Sequence, residues 1–340
     1  MEKQDVAAVG GGIAGSIAVR VAAEHGLKSL PAKIVKLLLP LGLSDWAHGP
    51  VAEQRARQER TARYTKLPAD IRCQPVSANG IPAEWITAPG ACSGVLLYLH
   101  GGAYALGSVN THREFVARLA RATKMRGLAI NHRLAPEHPY PAGLEDAISA
   151  YRWLLAQGVD PAHIVVAGDS SGGGLTLATM LALRDAGEPL PVGAVCISPW
   201  TDLAGTGDSM QGKVKVDRVL DPESLAICAS RYAGEHDLRV PLISPLYADL
   251  KGLPPLLIQV GTDEILLDDA TRCAESARKA GVDVTLEVWD EMFHVFQMVP
   301  VLPETKRAMA SIAKFVSRNV EQYNDPQKLD HELRWIRLSS

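Results

Sequence analysis

A chain of 340 residues, 47% apolar and 21% charged, has the composition of a folded enzyme-sized domain rather than of a disordered or fibrous segment. Its formal net charge of −3 and its 5% aromatic content supply neither the basic surface that nucleic acid or an anionic membrane needs nor a base-stacking platform. No run approaches the roughly 18 apolar residues of a membrane span, and the 5 cysteines (Cys73, Cys92, Cys196, Cys228 and Cys273) form no C-x-x-C pair, which points to free thiols in a reducing cytoplasm.

Residues 1 to about 66 read as helices, with Ile34, Val35, Leu37, Leu38 and Leu39 offering an apolar face. Glu2, Lys3 and Asp5 break the charged-then-apolar order of a signal peptide. Gly10 to Gly15 form a G-x-G-x-x-G run after a few apolar residues, the shape of a flavin or nicotinamide fingerprint. The acidic residue expected about 20 positions on is missing, Ile34, Val35 and Lys36 standing there instead, and no second strand is readable before Pro40. A glycine-rich helix start accounts better for the run; an oxidoreductase is the alternative enzyme class.

Further along, strand runs fall at Trp85–Thr87, Val95–Leu99, Leu128–Asn131, Ile164–Ala167, Ala194–Ile197, Leu256–Val260 and Val284–Val288. Helical patterns at Glu114–Ala122, Leu144–Ala156, Leu175–Ala186, Ala270–Ala280 and Pro303–Arg318 alternate with them. That alternation predicts an α/β fold, a mostly parallel sheet with helices on both faces. Residues 201–246 fall outside it and read as a helical insertion.

The chemistry starts where Val165-Val166-Ala167 runs into Gly168-Asp169-Ser170-Ser171-Gly172. A strand turning directly into a helix through G-x-S-x-G holds the middle serine in a strained backbone and lifts its Oγ above the sheet edge. Only Ser170 has glycine at both −2 and +2, so it is the candidate nucleophile, and Ser171 offers its backbone N–H. Upstream, the strand at Val95 empties into His100-Gly101-Gly102-Ala103, a loop whose amides can converge on one spot and stabilise an oxyanion. A serine on such an elbow takes its acid and then its base from later in the chain. Of 10 histidines, His25, His48 and His331 lie in terminal segments and five others precede Ser170, leaving His236 and His294; His294 follows a strand whereas His236 sits among charged residues. The strand at Leu256 ends in Gly261-Thr262-Asp263-Glu264, where either carboxylate could orient the imidazole.

At this point the chain resembles the hormone-sensitive-lipase-like esterases, bacterial family IV of the α/β-hydrolases. The matching residues are His100-Gly101-Gly102-Ala103, Arg133 to Ala142 (RLAPEHPYPA), Asp160-Pro161, Gly168 to Gly173, Ser198-Pro199-Trp200 and Phe293-His294-Val295-Phe296, all in family order from about Pro82 to Val320. The family's third glycine is replaced by Ala103 and its alanine by Ser171, changes that keep both backbone N–H groups.

The resemblance implies an α/β-hydrolase fold, a Ser170, Glu264, His294 triad and an oxyanion hole from the amides of Gly102, Ala103 and Ser171 after the His100-Gly101 turn. It sets Glu264 rather than Asp263 on the acid, because Glu264 to Asp269 matches the family's D-P-L-x-D-[DE] without a gap. It further implies a cap built from residues 1–66 and the 201–246 insertion over a catalytic domain spanning residues 67–320, with residues 321–340 as a tail. Leu37, Leu38, Leu41, Trp46, Tyr104, Trp200, Leu203 and Val219 are candidate pocket walls, or simply core.

The implied activity is hydrolysis of short- to medium-chain acyl esters, the partners being a small-molecule ester and water, with no cofactor and no metal. Lactone hydrolysis and deacetylation would use the same site. A receptor role, found in relatives that lose a triad member, is disfavoured because all three are present. The family also suggests a homodimer through the edge strand near Val284–Val288 and the last helix.

Overall fold

The apolar runs assemble into one eight-stranded sheet in the computed structural model, which describes residue 35, residues 47–91 and residues 94–323, the side chains of the last three excepted. The glycine-rich run, Ile34, Leu37, Leu38, Leu39, Leu41, Trp46, Cys92 and most of the tail lie outside the described residues.

In chain order the elements are α1 (Val51–Ala62), β1 (Arg72–Ala78), β2 (Ile81–Thr87), β3 (Val95–Leu99), α2 (Val109–Thr123), β4 (Arg126–Ile130), α3 (Ala142–Ala156), β5 (Ile164–Asp169), α4 (Ser171–Asp185) and β6 (Gly193–Ile197). There follow α5 (Ser209–Gly212), α6 (Pro222–Ala233), β7 (Leu256–Gly261), α7 (Leu267–Lys279), β8 (Val284–Trp289) and α8 (Pro303–Tyr323). The strand order is β1-β2-β4-β3-β5-β6-β7-β8. Strands β1 and β2 pair antiparallel, β2 pairs antiparallel with β4, and every later pairing is parallel.

Strands β3, β5, β6 and β7 are buried along their whole length, which explains their continuous apolar sequence: helices cover both faces, so neither side can be polar. Alternate residues serve different layers. Leu97, Leu99, Ile164 and Val166 pack with Leu144, Tyr151, Leu175 and Ala270 of α3, α4 and α7. Leu96, Tyr98, Val165 and Ala167 pack with Phe115, Val116, Met309 and Ile312 of α2 and α8. Each fully buried Leu, Val or Ile stabilises by about 1.5–3 kcal/mol relative to exposure. At the sheet's edge β8 is only partly covered, and Val288 is 46% exposed.

Two expectations are corrected. The sheet has an additional first strand: β1 is mostly exposed, so Arg72 to Ala78 lacks an apolar signature, and β2 starts at Ile81 rather than Trp85. The stretch 201–246 is α-helical only at α5 and α6, with a single 3-10 turn starting at Pro245. Elsewhere, carboxylates capture the backbone: Asp202 accepts from the amides of Ala204 and Thr206, and Asp217 from those of Val219 and Leu220. Side-chain oxygens that satisfy amides locally compete with helix hydrogen bonding.

Candidate active site

Register brings the candidate residues to one end of the sheet, at the carboxyl ends of the parallel strands, where α/β sheets bind their ligands. Leu99 pairs with Gly168, setting the His100 loop beside the turn into α4. Asp169 pairs with Ile197, which brings Ser198 alongside Ser170. Gly261 pairs with Trp289, so the loops carrying Glu264 and His294 leave neighbouring strands together.

Ser170 has φ 53° and ψ −123° at the turn from β5 into α4, a region that costs on the order of 1–3 kcal/mol and survives only when its surroundings impose it. The surroundings do. Its N–H donates to Ile197 O (2.8 Å), and its carbonyl accepts from Gly173 N (3.0 Å), Gly174 N (3.2 Å) and Trp200 N (2.9 Å). A Cβ at Gly172 would overlap the carbonyl oxygen of Leu99 and the backbone of His100, so glycine here is a packing requirement. Ser170 is buried, with 7% of its surface exposed.

The next residue ties two segments together. The Tyr104 amide donates to Ser171 Oγ (3.1 Å), fastening the His100–Leu106 loop to the first turn of α4. Asp169 fastens it a second time, its Oδ1 accepting from Gly101 N (3.0 Å) and Tyr98 Oη (2.5 Å). Burial opposes ionisation of Asp169, but the neighbouring His112 (3.5 Å to Oδ2) and these two donors outweigh it and bring its pKa down to about 2. His100 itself is buried and stacked on His132 with ring centroids 4.3 Å apart. Burial, reinforced by the charges of His132 and His112, drives its pKa well below the histidine norm, so His100 stays neutral beneath the loop.

On the other side, His294 Nδ1 lies 2.8 Å from Glu264 Oε2. The second oxygen of Glu264 accepts from Ser198 Oγ (2.9 Å) and Gly261 N (2.6 Å), and Ser198 Oγ in turn accepts from Val295 N (3.1 Å). Glu264 is fully buried. Burial pulls His294 toward its neutral form, yet the hydrogen bond and charge of Glu264, with Asp217 and Asp169 behind, leave its pKa above the ordinary 6.5. Asp263 lies on the half-buried side of the same turn, its amide donating to Met292 O. His236 is exposed and meets the edge of Tyr140 at 5.2 Å.

Of the candidate walls, Tyr104, Trp200, Leu203 and Val219 all join the buried core. Three residues have roles that no sequence pattern announces. Ser198 and Asp169 fall inside the Ser198-Pro199-Trp200 and Gly168 to Gly173 motifs, but a hydroxyl or carboxylate that organises its neighbours has no spacing signature. Asp217 accepts from Ile265 N (2.8 Å), one residue beyond Glu264, and carried no signal at all. Burial lifts its pKa to about 6, against the charge of His294 and the amides of Leu220, Val219 and Ile265. Among the described residues no helix is long and apolar enough to cross a membrane.

An eight-stranded, mostly parallel sheet with a strained serine at the β5–α4 turn and a histidine–carboxylate pair beyond later strands defines an α/β-hydrolase. A family model described as the α/β hydrolase fold matches residues 96–298. An acetyl-hydrolase of Streptomyces hygroscopicus is 47% identical over 78% of this chain and 88% of its own length, and an esterase of Acinetobacter venetianus is 38% identical over 82% and 90%. A crystal structure of an esterase from the bacterial hormone-sensitive lipase family superposes with a TM-score of 0.78 at 48% identity, covering 81% of this chain and 95% of that one. A hormone-sensitive lipase from a metagenome library gives a TM-score of 0.81 at 35% identity, covering 86% and 99%. The chain belongs to the hormone-sensitive-lipase-like esterases of the α/β-hydrolase superfamily, and its activity is carboxylic ester hydrolysis.

Proposed function

We propose that this esterase cleaves short- to medium-chain acyl esters by two-step acyl transfer on Ser170, with His294 as base and Glu264 as its orienting carboxylate. The observation that carries the reading is the 2.8 Å contact between His294 Nδ1 and a fully buried Glu264 oxygen. With Nδ1–H donated to Glu264, the proton-accepting lone pair is on Nε2. That nitrogen takes the Ser170 proton as Oγ attacks the ester carbonyl. The oxyanion settles on the amides of Gly102, Ala103 and Ser171. The alcohol leaves with the proton from Nε2, and water activated by the same nitrogen hydrolyses the acyl-enzyme. Glu264 stabilises the imidazolium formed in each step, and Ser198 and Gly261 hold the carboxylate still.

An acetyl-hydrolase among the relatives supports the short end of the acyl range, and acetyl groups or lactones on the same carbonyl chemistry fall within this reading. In the same reading residues 1–66 and the 201–246 insertion cap the site, residues 67–320 form the catalytic domain and residues 321–340 a tail. The partly exposed β8 edge and α8 pair two copies, and free cysteines such as Cys196 and Cys273 suit a cytoplasmic setting. The test is a chain-length series of chromogenic esters with and without a serine-directed phosphonate. Acetyl and butyryl esters turning over faster than palmitoyl esters, with all turnover blocked by the phosphonate, are expected; phosphonate-resistant hydrolysis, or a palmitoyl preference, contradicts the proposal.

A further inference from the structure

We infer that Arg55, on helix α1 outside the sheet, is a positioning residue that holds the oxyanion loop in its working shape; the inference rests on the acyl-transfer reading above. The loop after β3 passes through three consecutive left-handed residues, Gly102 (φ 121°), Ala103 (φ 52°) and Tyr104 (φ 58°). Two of these are not glycine, and each costs on the order of 1–3 kcal/mol unless the surroundings dictate it. The loop needs external restraint.

Part of that restraint is local. Ala105 N and Leu106 N fold back onto Gly102 O, and Tyr104 N reaches Ser171 Oγ. The rest comes from α1. Arg55 Nε donates to Ala105 O (2.8 Å), and its Nη2 donates to Ala135 O (2.8 Å). Ala135 N in turn donates to Tyr104 O (2.9 Å), which closes a ring from the guanidinium through both loops and back. The same guanidinium grips Glu137 with both nitrogens, at 3.0 and 2.8 Å. One turn further along α1, Gln58 accepts from Gly107 N (3.0 Å) and Glu59 accepts from Ser108 Oγ and Asn110 Nδ2. Thus α1 follows the loop from Ala105 to Asn110, with Arg55 bonded two residues after Ala103.

Only a planar, forked cation fits this arrangement, because two carbonyls and a carboxylate are met at once in fixed directions. The pair with Glu137 is half exposed and contributes little by itself. The two carbonyl bonds set the loop. Amides aimed at an oxyanion act on the transition state and hardly at all on the bound ester. Loss of Arg55 should therefore lower kcat and leave KM in place.

The experiment compares Arg55→Ala, Arg55→Lys and Glu137→Gln in the full chain. It measures kcat and KM on a chromogenic acetate ester, Ki for an aryl trifluoromethyl ketone that forms a hemiketal oxyanion on serine, and the thermal midpoint. In Arg55→Ala, kcat should fall about 10- to 100-fold, by analogy with losing one oxyanion donor. KM should hold within about twofold, the ketone's Ki should rise in step with the kcat loss, and added guanidinium ion should restore part of the rate. Arg55→Lys should recover only a minor part. Glu137→Gln should stay within about threefold of wild type, since the carbonyl bonds remain. Wild-type kcat and ketone affinity in Arg55→Ala overturn the inference. So does a loss confined to KM, or an equal loss in Glu137→Gln. Should Arg55→Ala fail to fold, Arg55→Lys decides the matter: a folded Lys variant with wild-type kcat and Ki overturns the inference. A wild-type enzyme that forms no ketone adduct overturns the acyl-transfer reading instead.

Discussion

The two halves of the candidate site are held by different forces. Around Ser170 itself the restraint is backbone against backbone: β5, the start of the His100 loop and the first turn of α4 interlock so closely that a Cβ at Gly172 has no room, and side chains, Asp169, Ser171 and Arg55, fasten only the remainder of that loop. Around His294 the restraint is side-chain hydrogen bonding, with Glu264, Ser198 and the amides of Gly261 and Val295 forming one buried chain of donors and acceptors. A backbone interlock fixes a position and tolerates no added atom. A hydrogen-bonded relay fixes an orientation and a charge, and it can be retuned by single functional groups.

The largest expected effect breaks the second half. Glu264→Gln should cost about 10³- to 10⁴-fold in kcat, because the amide no longer holds the tautomer or stabilises the imidazolium. Asp263→Asn should change kcat by no more than about twofold in the same assay. The reverse ranking would move the acid to Asp263. The pH profile sharpens the same comparison. As the proposed base His294 must be neutral, so kcat/KM should fall as pH drops through a value above 6.5. Glu264→Gln removes the largest of the charges that raise this value and leaves only Asp217 and Asp169 against burial, which favours the neutral ring, so its residual activity should persist to lower pH.

Next in size is a test of the interlock. Gly172→Ala should destabilise the fold by about 3 kcal/mol or more in urea unfolding, since the obstacle is backbone and no side chain can yield. A stable, active alanine variant would show that the elbow is looser than its packing implies. Smaller again is Ser198→Ala, which strips one donor from Glu264 and leaves Val295 N without its acceptor. About 1–3 kcal/mol of stability and roughly tenfold in kcat should go with it; a wild-type rate would mean that Gly261 N alone holds the carboxylate.

The same division decides which features the sequence displays. The glycines of Gly168-Asp169-Ser170-Ser171-Gly172 are demanded by backbone sterics, so the elbow is legible in the residue types, and the four strands buried along their whole length are legible as continuous apolar runs. Strand β1 is not, because an exposed edge strand has no apolar run to betray it. Composition alone could not choose between Asp263 and Glu264, since both are carboxylates on one turn; only the resemblance favoured Glu264, the residue that lies against His294. Ser198, Asp217 and Arg55 act through contacts with distant segments, and a linear sequence does not display which carbonyl a guanidinium will meet.

Backbone strain should single out one of two adjacent serines as the nucleophile. Treating the wild-type enzyme with a fluorescent phosphonate to complete inhibition and locating the adduct by fragmentation mass spectrometry of the Gly168–Gly174 region decides between them. The whole of the label is expected on Ser170 and none in Ser170→Ala. Label on Ser171, or full inhibition with Ser170 unmodified, would contradict it.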